Sequence, residues 1–151
     1  MKKQFVVVGG GHAHLTLLAN LDRCVVRGHR VTVVNRSAYH YYSGMGPGLL
    51  SGTYGPRDVR FHIKRMTEDR GAQFIEDAVV RIDAHDRSLQ LASGATIPYD
   101  VVSFNTGSDV PDLIPGSSGP AVFPVKPIAN LIRAQRFLAE LLVVVRTKVF
   151  D

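Results

Sequence analysis

Cysteine is nearly absent: Cys24 is the only one in 151 residues. A disulfide within the chain is excluded, and so is the dithiol that disulfide reductases use. Nothing in the cysteine usage argues for secretion. Cys24 falls among leucines on a predicted helix, where it reads as a small buried hydrophobe. Long apolar runs are missing too. The run at residues 141–145 is far below the roughly 20 residues of a membrane span. Residues 5–8 are too few for the apolar region of a signal peptide, and they run into glycines. The expected location is the cytoplasm, with no integral membrane segment.

Clustered positive charge is the third absence. Eighteen Lys and Arg against thirteen Asp and Glu leave a net charge of +5. These basic residues are scattered and no recognition motif accompanies them, so nucleic acid is not an expected partner. Metal ligation lacks support as well. His12 and His14 form a His-x-His pair, but zinc needs further ligands, and His29, His40, His62 and His85 offer no ligand spacing. A hydrophobic content of 45% and a charged content of 21% fit a soluble globular chain. The length suits one domain with a real core.

What is present begins at residue 5. Phe5-Val6-Val7-Val8 leads directly into Gly9-Gly10-Gly11-His12-Ala13-His14. Gly9 and Gly11 occupy the first two glycine positions of G-x-G-x-x-G, and His14 stands where the third glycine would be. The first glycine permits a tight turn; the second lets a pyrophosphate approach the backbone. The following helix, with His12 and Ala13 at its opening, directs unpaired N–H groups at phosphate. His12 can also donate to an anion through its imidazole. The pattern predicts a dinucleotide site.

The organisation of the chain agrees. Residues 4–8 and 30–34 read as buried parallel strands, joined by a helix over residues 14–27 with Gly28 as its C-cap. Residues 35–54 hold four tyrosines, four glycines and a proline with little periodicity, which predicts a long functional loop. A helix is expected over residues 58–70 and a third strand over 72–75. Residues 78–83, 88–91 and 95–98 predict a small meander. Residues 100–104 return as a buried strand, residues 108–127 read as loop, and residues 128–145 as helix. The predicted class is α/β: a Rossmann-like domain with a parallel sheet and an inserted antiparallel β-meander.

Three segments, in this order, carry a resemblance. They are Val8-Gly9-Gly10-Gly11-His12-Ala13-His14, Tyr41-Tyr42-Ser43-Gly44-Met45-Gly46-Pro47-Gly48-Leu49, and Tyr99-Asp100-Val101-Val102-Ser103-Phe104-Asn105-Thr106-Gly107-Ser108. The last is similar to a Tyr-Asp-x-Leu-x-x-Ala-Thr-Gly element, and Pro124-Val125-Lys126-Pro127-Ile128 fits a segment that follows it. The chain resembles the pyridine nucleotide-disulfide oxidoreductase superfamily, in the branch of type II NADH dehydrogenases and sulfide:quinone oxidoreductases. The resemblance extends to about Leu142. It implies an FAD-binding portion over residues 1–142. Residues 143–151 would be either the start of a missing NAD(P)-binding domain or an unrelated tail. The chain corresponds to roughly the first 40% of a member.

The implied function is electron transfer from NAD(P)H through FAD to a quinone-like acceptor, with NAD(P)H bound only by the missing second domain. No side chain stands out as a catalytic acid or base. The alternative is a non-catalytic nucleotide-binding module or scaffold. Asn35 replaces the acidic residue that would hold the adenosine ribose, and Arg36 beside it suits an additional phosphate. Ser43 and Met45, with Tyr42 and Pro47, would wall the flavin pocket. Val80 would present backbone to the adenine. Thr106 and Gly107 end a parallel strand, where open α/β sheets bind ligands. Lys126 reads as a solvated loop lysine rather than a flavin neighbour. His14, bulkier than the family's small residue, is expected to alter helix–strand packing. Surfaces meant for absent domains predict self-association. A longer form would be peripheral to the membrane.

Overall fold

The computed structural model describes residues 1–109, 115 and 119–149, with side chains of the last helix described through residue 141. In chain order the strands are β1 (Gln4–Val8), β2 (Arg30–Asn35), β3 (Tyr39–Tyr41), β4 (Arg60–His62), β5 (Gln73–Glu76), β6 (Val79–Asp83), β7 (Ser88–Leu91), β8 (Thr96–Pro98) and β9 (Val101–Phe104). The helices are α1 (His12–Leu18), α2 (Asp22–Val25), α3 (Gly46–Leu50), α4 (Ile63–Glu68) and α5 (Asn130–Val149). They form two compact units. One comprises Met1–His40 and Phe61–Gly107; the other comprises Tyr41–Arg60 and the described chain after Gly107.

The first unit is α/β, with a parallel sheet in the order β5-β2-β1-β9. The end of β1 and the middle of β2 are apolar because both faces of the sheet are covered there, at Val6, Val7 and Val8 and at Val31, Val33 and Val34. Val7 joins Leu18, Leu21, Val33 and Ile63 in a core beneath the helices. Val6 and Val8 point the other way and pack with Val34, Leu89 and Leu91. Leu89 and Leu91 come from the antiparallel meander β6-β7-β8, where exposed Gln90 between them completes the alternation of a half-buried strand. Each fully buried valine contributes roughly 1.5–3 kcal/mol.

Asp100 sets the register of β9. Its carboxylate accepts from Gln4 N–H at 2.7 Å, and its own N–H donates to Gln4 O at 2.9 Å. Phe5 then pairs with Val101, and Val8 with Phe104. From β1 the chain steps outward through β2 to β5 and then returns, after the meander, to the other side of β1 as β9, so the topological switch point lies between β1 and β9. Open α/β sheets bind ligands at the carboxyl ends of the strands at such a point.

The second unit packs α3 on α5. Leu49, Val59, Ile128 and Leu131 form its core, with Tyr41, Met45 and Ile132 against them.

Three expectations differ from the structure. The helix expected over residues 14–27 is two helices, because Asn20 Nδ2 donates back to Thr16 O at 2.8 Å and the N–H groups of Asn20, Arg23 and Cys24 take i−3 carbonyls. Residues 35–54 are not one irregular loop; they contain β3, a 3₁₀ turn at Ser43–Met45, and α3. The helix expected over residues 58–70 starts only at Ile63. His62 caps it, accepting Arg65 N–H on Nδ1 at 3.2 Å, and the preceding three residues are β4.

Candidate functional site

The glycine loop follows β1 directly and is buried at Gly9, Gly10 and Gly11. Gly9 has φ +88°, a conformation that disfavours any side chain. All three amides are taken by the protein itself. Gly9 N–H donates to Val34 O at 2.8 Å, Gly10 N–H to Asn35 Oδ1 at 3.0 Å, and Gly11 N–H to Asn105 O at 2.9 Å. The loop is thereby tied to the ends of β2 and β9. A Cβ on Gly9 would strike the Asn105 carbonyl; one on Gly11 would strike the Asn105 side chain and lie 2.6 Å from its carbonyl oxygen. Both glycines are required by the approach of Asn105, before any ligand is considered.

The exposed part of the site starts one residue later. His12 and Ala13 are exposed at the opening of α1, and no side chain caps that opening. The donors of the first helical turn therefore face the carboxyl edge of the sheet. His14 is buried at 4% exposure. Its Nδ1 lies 2.7 Å from Gly9 O and its Nε2 lies 2.9 Å from Ser103 Oγ. A carbonyl only accepts, so Nδ1 carries the hydrogen and donates to it. The imidazole thus links the glycine loop to β9.

Behind Gly10 lie Ile63 and His40; a Cβ there would meet Ile63 Cγ1 at 2.8 Å and His40 Cβ at 3.3 Å. His40 is half-buried, and burial, followed by the charge of His12, lowers its pKa below the ordinary histidine value. Two imidazoles thus share this side of the loop, and the inner one favours the neutral form.

The residues expected at the site divide. Gly9, Gly11, His12, Ala13, Asn35, Arg36, Thr106 and Gly107 gather at the carboxyl ends of β1, β2 and β9. Asn35 is engaged internally: Oδ1 accepts from Gly10 and Nδ2 donates to Ser37 O at 2.7 Å. Arg36, Thr106 and Gly107 are exposed. Val80 is on the meander, 62% exposed. Ser43 and Met45 belong to the second unit, where Ser43 is exposed and Met45 packs on the Leu49–Leu131 core. Lys126, in the same unit, donates to Ser108 Oγ at 2.7 Å. A cleft of about 410 Å³, lined by Lys2, His29, Arg30 and Gln73 among others, opens at the amino end of the strands and shares no residue with the glycine loop. Among the described residues no three His, Cys, Asp or Glu side chains are grouped to hold a metal. No described helix is long and apolar enough to cross a membrane.

The family of pyridine nucleotide-disulphide oxidoreductases matches residues 3–145. The chain belongs to this family. Among its relatives, the type II NADH:quinone oxidoreductase of Staphylococcus aureus is 22% identical over 94 residues, covering 62% of this chain and 23% of that protein. The sulfide:quinone oxidoreductase of Aquifex aeolicus has the same fold, with a TM-score of 0.73 at 23% identity over 93% of this chain and 32% of that one. So does the NDH2 of Plasmodium falciparum solved with NADH, with a TM-score of 0.75 at 18% identity over 89% and 28%. The chain spans about a quarter of the length of the relatives it matches and a third or less of these two structures.

Sequence reasoning overlooked Asn105, Ser103 and His40 as parts of the site. A signal existed for Asn105, which stands where the Ala-Thr-Gly element of the family has alanine. No spacing rule pointed to Ser103 or His40, which reach the loop only through the fold.

Proposed function

We propose that this chain is the FAD-binding part of an oxidoreductase that passes electrons from NAD(P)H through flavin to a quinone-like acceptor. The supporting observation is a buried glycine loop at the switch point that delivers an exposed, uncapped helix opening to the carboxyl edge of a parallel sheet. Those features suit a diphosphate. The opening of α1 at His12 and Ala13 would meet it, since the glycine amides themselves are engaged. Thr106 and Gly107 would flank it from the end of β9. Arg36 would meet the adenosine side, as an exposed cation beside an Asn35 whose amide already ties β2 to the loop. FAD, when bound, supplies the hydride-accepting chemistry; the chain supplies orientation and electrostatics. His12 would bring a donor to the diphosphate. Ser43 and Met45 as flavin walls, and Val80 as an adenine contact, belong to the same proposal.

The NAD(P)H site and the acceptor would lie in sequence that the relatives have beyond the matched segment. The division at residue 142, with residues 143–151 opening a second nucleotide domain, belongs to this reading. So does a cytoplasmic location, with peripheral membrane attachment for a longer form.

A second reading has one observation in its favour. All three glycine amides are hydrogen-bonded within the protein, so the fold does not need a ligand to satisfy them. The chain would then be a nucleotide-binding module without redox chemistry. Purified protein with absorbance near about 450 nm supports the flavin reading. Colourless protein that takes up ADP in equilibrium dialysis supports the module. Uptake of neither FAD nor ADP by folded protein overturns both.

A further inference from the structure

The glycine loop uses the carboxyl end of the sheet. The amino end holds a cleft that the dinucleotide reading leaves unused. Its volume is about 410 Å³, within the roughly 300–1,000 Å³ of small-ligand sites. It lies where the chain enters β1, β2 and β5. Two glycine turns shape it: Gly28 after α2 and Gly71 after α4, with φ +83° and +73°. Gly28 N–H donates to Val25 O at 2.8 Å and His29 N–H to Cys24 O at 3.2 Å. Gly71 N–H donates to Glu68 O at 2.9 Å and Ala72 N–H to Thr67 O at 3.2 Å. These carbonyls at the ends of α2 and α4 are spent within the turns, which removes much of the negative end a helix would present to an anion.

The polar groups left in the cleft are mainly donors. His29 Nδ1 accepts from Lys3 N–H at 3.2 Å, so its remaining hydrogen is on Nε2. Gln4 Nε2 donates to Thr32 Oγ1 at 3.0 Å, and that hydroxyl donates to Gln73 Oε1 at 3.4 Å. The relay consumes Gln73's oxygen and leaves its Nε2 with two N–H groups. Arg30 and Lys2 add two cations whose side chains make no ion pair or hydrogen bond among the described residues. Gln4 Oε1 is the side-chain acceptor left over. No carboxylate lines the cleft. Asp100, at the same end of the sheet, is engaged by Gln4 N–H and Lys3 Nζ. Donors from separate segments with two full positive charges suit a doubly charged oxyanion with several acceptor oxygens.

We propose that this cleft is an anion site for a phosphate group, separate from the dinucleotide site and independent of whether the chain binds FAD. Arg30 and Lys2 supply the charge; His29 Nε2 and Gln73 Nε2 supply neutral donors.

The test is NMR titration of the full chain with inorganic phosphate, at an ionic strength held constant with chloride. Saturable shifts are expected at the amides of Gly28, His29, Arg30 and Gln73. Any response at residues 9–13 is read separately and bears on the nucleotide reading alone. Arg30→Gln is expected to weaken phosphate at the cleft about tenfold, the effect of losing a charged donor. Lys2→Gln should weaken it about threefold and serves if Arg30→Gln does not fold. Arg57→Gln makes the same charge change on the second unit and should alter affinity less than about twofold. No saturation at the cleft amides below about 10 mM phosphate overturns the proposal. So do shifts confined to residues 9–13. Equal weakening by Arg57→Gln and the cleft variants also overturns it, since that marks attraction to the overall charge.

Discussion

At position 14 an imidazole replaces the small residue that usually lets a helix settle close to its strand. The replacement works because both ring nitrogens find partners: Gly9 O at one end and Ser103 Oγ at the other. Removing the ring would strand a buried carbonyl and a hydroxyl and open a void beside β1. His14→Ala is therefore expected to lower unfolding free energy by about 2–4 kcal/mol, read as a lower denaturant midpoint at unchanged slope. A change under about 0.5 kcal/mol would contradict the bridging role. The same residues mark how far a sequence can be read. The glycines at 9 and 11 were legible because their spacing is short and local. Their immediate cause was not, because Asn105 lies over ninety positions away in sequence and meets them only once β9 has paired with β1. Asn35 was legible as a residue near the loop, but the bond it makes within the protein was not: its Oδ1 accepts the Gly10 N–H.

Among elements, long buried strands were legible and short mixed ones were not. β1, β2 and β9 announce themselves as apolar runs bounded by glycine or by polar residues. The meander does so by alternation. β3 and α3 are three and five residues long, too short for any period to register, and their formation depends on packing against distant residues. The break between α1 and α2 was hidden by an apolar spacing that continues across it. β9 also carries a pH dependence. Gln4 N–H, with smaller contributions from Lys3 and Arg87, holds the Asp100 carboxyl below the usual aspartate value, while desolvation opposes this. A carboxylate with a depressed folded-state pKa stabilises the fold above its unfolded pKa, about 3.9, and that stability is lost as pH falls through the folded value. Asp100→Asn should melt at a lower temperature than the unaltered chain at pH 6. The gap should shrink as pH falls below about 4. A gap independent of pH would show that the carboxylate charge plays no part in clipping β9 to β1.

For the whole molecule, the informative feature is what β9 leaves open. It is an edge strand among the described residues, and Val101 and Phe104 on it are 54% and 47% exposed. An edge with unpaired backbone groups and apolar side chains is a template for another strand. Neither proline nor lysine within β9 blunts it. Unless a further segment pairs with this edge, two copies of the chain are expected to meet there, which is the form that self-association would take. Sedimentation should then show a concentration-dependent shift from monomer toward dimer across the micromolar range. Val101→Lys and Phe104→Lys should each move the midpoint upward by about tenfold, the usual effect of placing a buried charge in such a contact. Leu138 and Leu141 on α5 are each 45% exposed and offer the competing surface. If lysine on β9 leaves the midpoint unchanged while Leu138→Lys raises it, association runs through the helix instead. If the unaltered chain stays monomeric at every concentration, neither surface drives association.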